Sequence, residues 1–137
     1  MRVVLDTNVV VSGLLQAFGP SGQIVRLVAE GELQVCYDVR ILAEYREVLL
    51  RPKFRFEPGR VEAFLQEVRT SGFAVAARPL ALALPDSDDA AFVEVAVAAG
   101  ASCLVTGNRR HFPDPLPAGV RLLSPRELVD ELAGGPD

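Results

Sequence analysis

Short apolar runs alternate with longer amphipathic stretches along the chain, and this alternation predicts strands followed by helices. The clearest run, Val3-Val4-Leu5, is unbroken and mostly β-branched. Such a run is typical of a strand that is buried on both faces of a parallel sheet. Four further strands are predicted, over residues 33–37, 73–77, 102–106 and 120–123.

The stretches between these runs carry apolar residues at helical spacing, together with residues that favour helix ends. Six helices are predicted, beginning near Val9, Ser21, Asp38, Glu57, Asp89 and Ser124. The last begins with a capping box, Ser124-Pro125-Arg126-Glu127, with proline at its first position. Strands that alternate with helices predict an α/β fold: a three-layer α/β/α, doubly wound domain around a five-stranded, mostly parallel sheet.

Length and composition predict one domain over residues 1–132, followed by a frayed tail over 133–137. Half of the residues are hydrophobic, but no apolar stretch approaches the ~20 residues that cross a membrane. We find no signal peptide, so we expect a cytoplasmic protein without membrane contact. The net charge of −4 disfavours a broad nucleic-acid coat, although a nuclease can line its groove with bases locally.

The cysteine and histidine content excludes several metal sites. Cys36 and Cys103 lie in apolar, strand-like runs, where inert core thiols are expected. His111 is the only histidine, so neither a two-histidine site nor a Cys/His zinc site is available.

Polar residues follow two of the predicted strands. Asp6 comes directly after Val3–Leu5, and Thr106-Gly107-Asn108 follows the fourth strand. Ligands of open α/β sheets bind outside the carboxyl ends of the strands, where the strand order reverses. If the first and fourth strands are neighbours, Asp6 and Asn108 flank that crevice. Alternatively Asp6 only caps the next helix, as Thr7 and Asn8 also could.

The turn Asp86-Ser87-Asp88-Asp89 carries more acids than a helix cap requires. Two carboxylates ~4 Å apart repel by up to ~4 kcal/mol at an effective dielectric constant near 20, and a divalent cation would remove that cost. Glu44 lies one position off the apolar face of the third helix, at the boundary with solvent. Alternatively, Glu44 is only a solvated residue on the helix surface. Oxygen ligands of this kind suit Mg²⁺ or Mn²⁺ and phosphodiester chemistry.

Three motifs in order resemble those of PIN-domain proteins, and most closely a PIN subfamily of toxin-antitoxin systems. The motifs are V-V-L-D-T-N-V-V-V-S-G, E-Y-R-E-V-L-L-R-P-K-F and D-S-D-D-A-A-F-V-E-V-A-V-A-A-G-A-S-C-L-V-T-G-N. The resemblance extends from Arg2 to about Leu132. It implies a five-stranded parallel sheet sandwiched by helices and a metal-dependent ribonuclease with a cluster of acidic residues.

Matched motif to motif, Asp6 takes the first acidic position of the family and Glu44 the second. Asp89 takes the third, with Asp88 as the competing choice. The fourth position, often aspartate, is Asn108 here. An amide oxygen can still coordinate Mg²⁺, but the site loses one negative charge.

The resemblance therefore implies that Asp6, Glu44 and Asp89 hold one or two Mg²⁺ or Mn²⁺ ions, with Asn108 completing the set. Thr106 and Asp88 are expected to support these ligands by hydrogen bonding. Arg109 and Arg110 directly follow the site and are expected to hold the RNA backbone, or else to form a solvated loop.

A second basic stretch, Arg51 to Arg55, interleaves with Phe54 and Phe56. These two rings could stack RNA bases, although core packing is the alternative.

We thus expect a metal-dependent endoribonuclease, the toxin partner of a small antitoxin protein and a homodimer or higher homo-oligomer. The alternative is a catalytically weak PIN-like module that binds RNA or a protein. A phosphate-accepting receiver domain is disfavoured, because Asp6 is the single acid after the first strand and Lys53 the only lysine.

Overall fold

The central strand of the sheet is β1 (Arg2–Leu5), in which Val3, Val4 and Leu5 are fully buried. In the computed structural model, which describes residues 1–134, β1 pairs in parallel with β2 (Gln34–Tyr37) and β4 (Cys103–Val105). The outer strands are β3 (Phe73–Ala74) and β5 (Arg121–Leu123). The strand order is β3-β2-β1-β4-β5, so it reverses between β1 and β4, which is the condition under which Asp6 and Asn108 flank the crevice.

Six helices cover this sheet in the part of the chain that the structure describes. They are α1 (Thr7–Leu15), α2 (Pro20–Ala29), α3 (Val39–Leu49), α4 (Pro58–Ser71), α5 (Ala90–Ala99) and α6 (Pro125–Gly134). The helix α2 packs against α1, α4 and α6, whereas α5 packs against β1, β2 and β4. Right-handed crossovers place these two groups on opposite faces of the sheet. The predicted three-layer α/β/α fold is confirmed.

The third strand is shorter than predicted. Residues 73–77 were expected to be a strand, but β3 ends at Ala74. The amide of Val75 still donates to the carbonyl of Tyr37, at 2.9 Å, after which the chain leaves the sheet. Because β3 is an edge strand with one neighbour, fewer ladder hydrogen bonds hold the chain there. Further on, the amide of Leu80 donates to Glu94 of α5 instead, at 2.8 Å.

The predicted capping box at the start of α6 is confirmed. The amide of Glu127 donates to Ser124 Oγ at 3.1 Å, and the amide of Ser124 donates to Glu127 Oε1 at 2.8 Å. The helix then continues through Gly134, so residues 133–134 of the predicted tail are helical. Residues 135–137 lie outside the described residues.

The apolar interior includes both cysteines. Cys36 and Cys103 are fully buried, and burial raises the pKa of their thiols to about 11 and about 12 respectively. They are the inert core residues that the sequence predicted. The early apolar helices also serve the core, since Val9, Val10, Leu14, Ile24 and Val28 are buried. Within residues 1–134, no helix is both long and apolar enough to cross a membrane.

The connection between α1 and α2 requires glycine at position 22. A Cβ atom on Gly22 would lie 2.3 Å from the carbonyl oxygen of Gln16 and 2.4 Å from that of Ala17. Both obstacles are backbone atoms, so a rotamer change cannot relieve the clash. By contrast, a Cβ atom on Gly59, near the start of α4, would meet no atom within 4 Å.

We predict that Gly22→Ala lowers the free energy of unfolding by about 1–3 kcal/mol, the usual cost of overpacking. Gly59→Ala is the control, and it should raise the free energy of unfolding by up to ~1 kcal/mol through helix propensity. Urea denaturation of both variants measures the difference. Equal stability of the two variants would contradict the close approach at Gly22.

Candidate active site

The parallel pairing of β1 with β4 brings Asp6 next to Thr106. Leu5 pairs with Val105, so the residue after each strand lies at the same edge of the sheet. Thr106 Oγ1 donates to Asp6 Oδ2 at 2.7 Å, and the Asp6 carboxylate is largely buried, with a residue exposure of 7%. The side chain of Asp6 makes no capping hydrogen bond to α1. Asp6 thus occupies the N-cap position of α1, but its carboxylate accepts from Thr106 and is not a cap alone.

Thr7 and Asn8, which could have capped α1, are instead its first two residues. The Thr7 hydroxyl donates to Glu44 Oε2, and Asn8 Oδ1 accepts from the amide of Gly107 at 3.2 Å. Their side chains reach partners 37 and 99 residues away in the chain, which a local pattern cannot reveal. Through these contacts α1 connects α3 to the loop after β4.

Glu44 faces the same edge of the sheet from α3. It is half-buried rather than a freely solvated surface residue. The neighbouring Tyr45 is fully buried, and its hydroxyl donates to the carbonyl of Leu5 at 2.5 Å. This hydrogen bond fixes α3 against the last residue of β1 and so holds Glu44 close to Asp6.

The three acids of the turn before α5 have different environments. Asp86 caps the 3-10 turn Ser87–Asp89 that leads into α5, since its Oδ1 accepts from the amide of Asp88 at 2.9 Å. Asp88 is exposed and lines a cleft of about 280 Å³ together with Glu44 and Arg40. Asp89 is half-buried, makes no capping hydrogen bond, and lies 3.5 Å from His111, measured from Oδ2 to Nδ1. The structure thus separates one capping acid from two that face the site.

Electrostatics link Asp6, Glu44 and Asp89. Burial raises the pKa of Asp6. Burial, and then the charge of Asp6, raises the pKa of Glu44 and that of Asp89, the latter to about 6. Within residues 1–134, no three Asp, Glu, His or Cys side chains are arranged as a group that could hold a metal ion. The three carboxylates are therefore electrostatic neighbours whose side chains do not converge on a single point.

Asn108 and His111 complete this edge of the sheet. The amide of Asn108 donates to Thr106 Oγ1 at 2.9 Å, and Asn108 Nδ2 lies 2.9 Å from His111 Nε2. His111 thus lies between Asn108, which is nearest Nε2, and Asp89, which is nearest Nδ1. The sequence analysis did not predict that His111 lies beside Asp89 and Asn108. Its spacing of three residues from Asn108 was the available signal.

An ion-pair network that the sequence did not predict joins α3 to α5. Arg40 contacts Asp38 Oδ2 through Nε at 2.8 Å and Glu94 Oε1 through Nη1 at 2.7 Å. Glu94 is buried, and its other oxygen accepts from the amide of Leu80. The only sequence signal was a lone glutamate within the apolar face of α5. The network holds the helix that carries Glu44 against the helix that Asp89 begins.

The two arginines after Asn108 differ in their surroundings. Arg109 forms an ion pair with Glu127 at the start of α6. Arg110 is exposed and, within residues 1–134, forms no ion pair. In the second basic stretch, Arg51 pairs with Glu47 at 2.9 Å.

We predict that Asp89→Asn stabilises the metal-free protein at neutral pH. The folded protein holds a proton on Asp89 more tightly than the unfolded chain does, so stability falls as pH rises from 3.8 to about 6. Above about pH 6 the charged Asp89 lowers the free energy of unfolding of the wild type by its full amount. This amount is at most about 3 kcal/mol, at ~1.36 kcal/mol per pKa unit.

Thermal denaturation in EDTA, at pH 4 and pH 7.5, tests this prediction. Asp130→Asn, on the exposed surface of α6, is the control for the loss of one charge. A variant of Asp89 that is less stable than the wild type at pH 7.5 would contradict the prediction.

Comparison with known proteins supports these observations. The family model described as PIN domain matches residues 2–110. One solved structure with a similar fold is that of VapBC2 from Rickettsia felis bound to a DNA fragment from their promoter. The match has 17% sequence identity and a TM-score of 0.59, and it covers 90% of this chain and 98% of that one. At this identity the likeness concerns the fold alone.

No curated protein matches the sequence significantly. The family model nevertheless spans most of the chain, and its residues include Asp6, Glu44, Asp89 and Asn108. The chain belongs to the PIN domain family, whose members are generally nucleases.

Proposed function

We propose that this protein is a ribonuclease that depends on Mg²⁺ or Mn²⁺ and acts as the toxin of a toxin-antitoxin pair. The observation that carries the proposal is the group of three interacting carboxylates: Asp6 directly after β1, Glu44 on α3 and Asp89 at the start of α5. Asp6 thus lies at the edge at which open α/β sheets bind their ligands. Membership of a family that consists largely of nucleases supports the same assignment.

The chemistry of these side chains fits a hard divalent cation. The donors are carboxylate oxygens, joined by the amide oxygen of Asn108, and such ligands favour Mg²⁺ or Mn²⁺. Burial and mutual repulsion raise the pKa of Glu44 and Asp89, so a cation would relieve an electrostatic cost. A divalent ion held by these residues would supply Lewis-acid chemistry, lowering the pKa of water and stabilising charge on phosphate oxygens.

The surrounding residues orient the proposed ligands. Thr106 donates to Asp6, and Thr7 donates to Glu44. His111 lies next to Asp89, the third proposed ligand. Supporting contacts of this kind fix the rotamers of metal ligands and are needed for affinity.

We assign the third acidic position to Asp89 rather than to Asp88. Asp89 is half-buried, and the charges of Asp6 and Glu44 contribute to its raised pKa. Asp88 is exposed and lines the cleft beside Glu44, where it can support the site from its rim.

The partner assignments rest on the resemblance to toxins. The proposal includes a small antitoxin protein and a homodimer or higher homo-oligomer. The similar fold of VapBC2, whose structure contains promoter DNA, supports a place in such a system. We propose that Arg109 and Arg110 contact the RNA backbone. Arg110 is exposed and follows Asn108 by two residues, whereas Arg109 would exchange its ion pair with Glu127 for one with a phosphate.

We predict that Asp6→Asn abolishes cleavage of a mixed-sequence RNA and lowers Mn²⁺ affinity at least tenfold. The change removes a central negative charge but preserves the shape of the side chain, so the fold should remain intact. Isothermal titration calorimetry and a gel-based cleavage assay, on RNA and on DNA of the same sequence, provide the measurements. Asp130→Asn, with the same change of charge on α6, should behave as the wild type.

Three outcomes contradict the proposal. A wild type that neither takes up Mn²⁺ at millimolar concentration nor cleaves RNA would instead favour a module that only binds RNA or a protein. Cleavage that survives Asp6→Asn would place the reaction elsewhere. Cleavage of DNA in preference to RNA would support a nuclease but contradict RNA as its substrate.

We predict that Asn108→Asp increases Mg²⁺ affinity several-fold, because a carboxylate adds charge to the ligand set. The same change should lower the melting temperature in EDTA, since the new charge repels its neighbours. Calorimetry and thermal denaturation of the purified variant test both effects. An unchanged Mg²⁺ affinity would show that residue 108 does not adjoin the ion.

A further inference from the structure

A second cavity, of about 360 Å³, lies beside the candidate active site. Its apolar walls come from Val11 and Leu15 of α1, Val48 of α3, and Phe54 in the segment after α3. The site described above uses none of these four side chains. The cavity therefore needs an explanation of its own.

The cavity shares residues with the candidate active site. Thr7 and Asn8 line it, and the same two residues hold Glu44 and the amide of Gly107. A ligand in the cavity would thus contact Thr7 and Asn8, and Thr7 in turn contacts the proposed metal ligand Glu44. This position suits a part of the substrate next to the bond that is cut.

Aromatic and basic side chains stand together on one side of the cavity. The rings of Phe54 and Phe56 stack with centroids 5.9 Å apart and an angle of 25° between their planes. Phe56 packs against the hydrophobic core, whereas Phe54 lines the cavity. Lys53 Nζ lies 5.0 Å from the ring centroid of Phe54. Lys53 and Arg55 are both exposed and, within the described residues, form no ion pair.

We propose that this cavity binds one unpaired nucleobase of a single-stranded RNA, with Phe54 as its stacking partner. The inference rests on the proposed ribonuclease function and names a substrate subsite for it. Apolar walls and an aromatic ring suit the faces of a base, and stacking of this kind tolerates any base. The side chains of Asn8, Ser12 and Gln16 supply hydrogen-bonding groups for its edge.

Local charge favours RNA over an apolar protein segment. The chain as a whole has a net charge of −4, and the neighbouring site is acidic. Lys53 and Arg55 nevertheless place two cations beside the aromatic pair, where a phosphate adjoining the bound base would lie. A purely apolar peptide would gain nothing from these cations.

The test is RNA binding without cleavage, measured in EDTA with a 12-nucleotide RNA that contains one 2-aminopurine. We expect wild-type protein to quench the 2-aminopurine fluorescence on binding. Phe54→Ala should weaken binding at least about fivefold, within the range known for base–aromatic stacking, and abolish the quench. Phe54→Tyr, which keeps the ring, should restore both.

Two controls make the result specific. Phe18→Ala removes a ring that is 93% exposed and outside the cavity wall, and it should change affinity less than twofold. A ribose-phosphate chain that lacks the base at the 2-aminopurine position should bind the wild type more weakly, and Phe54→Ala should not weaken that binding further.

Failure of the subsite and failure of the ribonuclease are distinguishable. Metal-dependent cleavage with unchanged RNA binding in Phe54→Ala overturns the base site and leaves the cavity to a segment of a protein partner. Binding and quenching that depend on Phe54, in a protein that never cleaves RNA, keep the base site and overturn the ribonuclease. Absence of wild-type RNA binding in EDTA, or equal effects of Phe18→Ala and Phe54→Ala, also overturns the base site.

Discussion

Negative charge that is partly buried at one edge of the sheet is the constraint on which this structure depends. Burial and the charge of Asp6 raise the pKa of both Glu44 and Asp89, so the metal-free fold carries an electrostatic cost there. A hydrogen bond from Thr106 to Asp6 and another from Thr7 to Glu44 offset part of that cost. Proteins commonly retain such costs at functional sites, where the unfavourable group does the chemistry.

The rest of the fold brings these groups together from distant parts of the chain. Pairing of β1 with β4 places Asp6 beside Thr106, and Tyr45 anchors α3 to the carbonyl of Leu5. The network around Arg40 and the buried Glu94 then joins α3 to α5. Because Glu94 is buried, loss of the exposed Arg40 would leave its charge unpaired, so this ion pair helps to hold the two helices together. The apolar cavity that we assign to a nucleobase lies next to these helices and is lined by Phe54.

The sequence revealed the parts of this arrangement that follow from local rules. Strand ends identified Asp6 and Thr106, because carboxyl ends of parallel strands meet at one edge. The excess of acids before α5 also carried information, since only the side chain of Asp86 makes a capping hydrogen bond there. Local patterns failed where a side chain has two competing partners. Thr7 fits a helix cap in sequence, yet its hydroxyl binds Glu44, 37 residues further along the chain. Tertiary contacts of this kind leave no periodic signal.

The most direct test of the central claim is the location of Mn²⁺ by anomalous X-ray scattering from crystals soaked in millimolar MnCl₂. The account predicts a peak about 2.1 Å from carboxylate oxygens of Asp6 and of at least one of Glu44 and Asp89, after local side-chain rotation. The peak should vanish in crystals of Asp6→Asn. Ordered Mn²⁺ that binds elsewhere while these three carboxylates stay unligated would contradict the account.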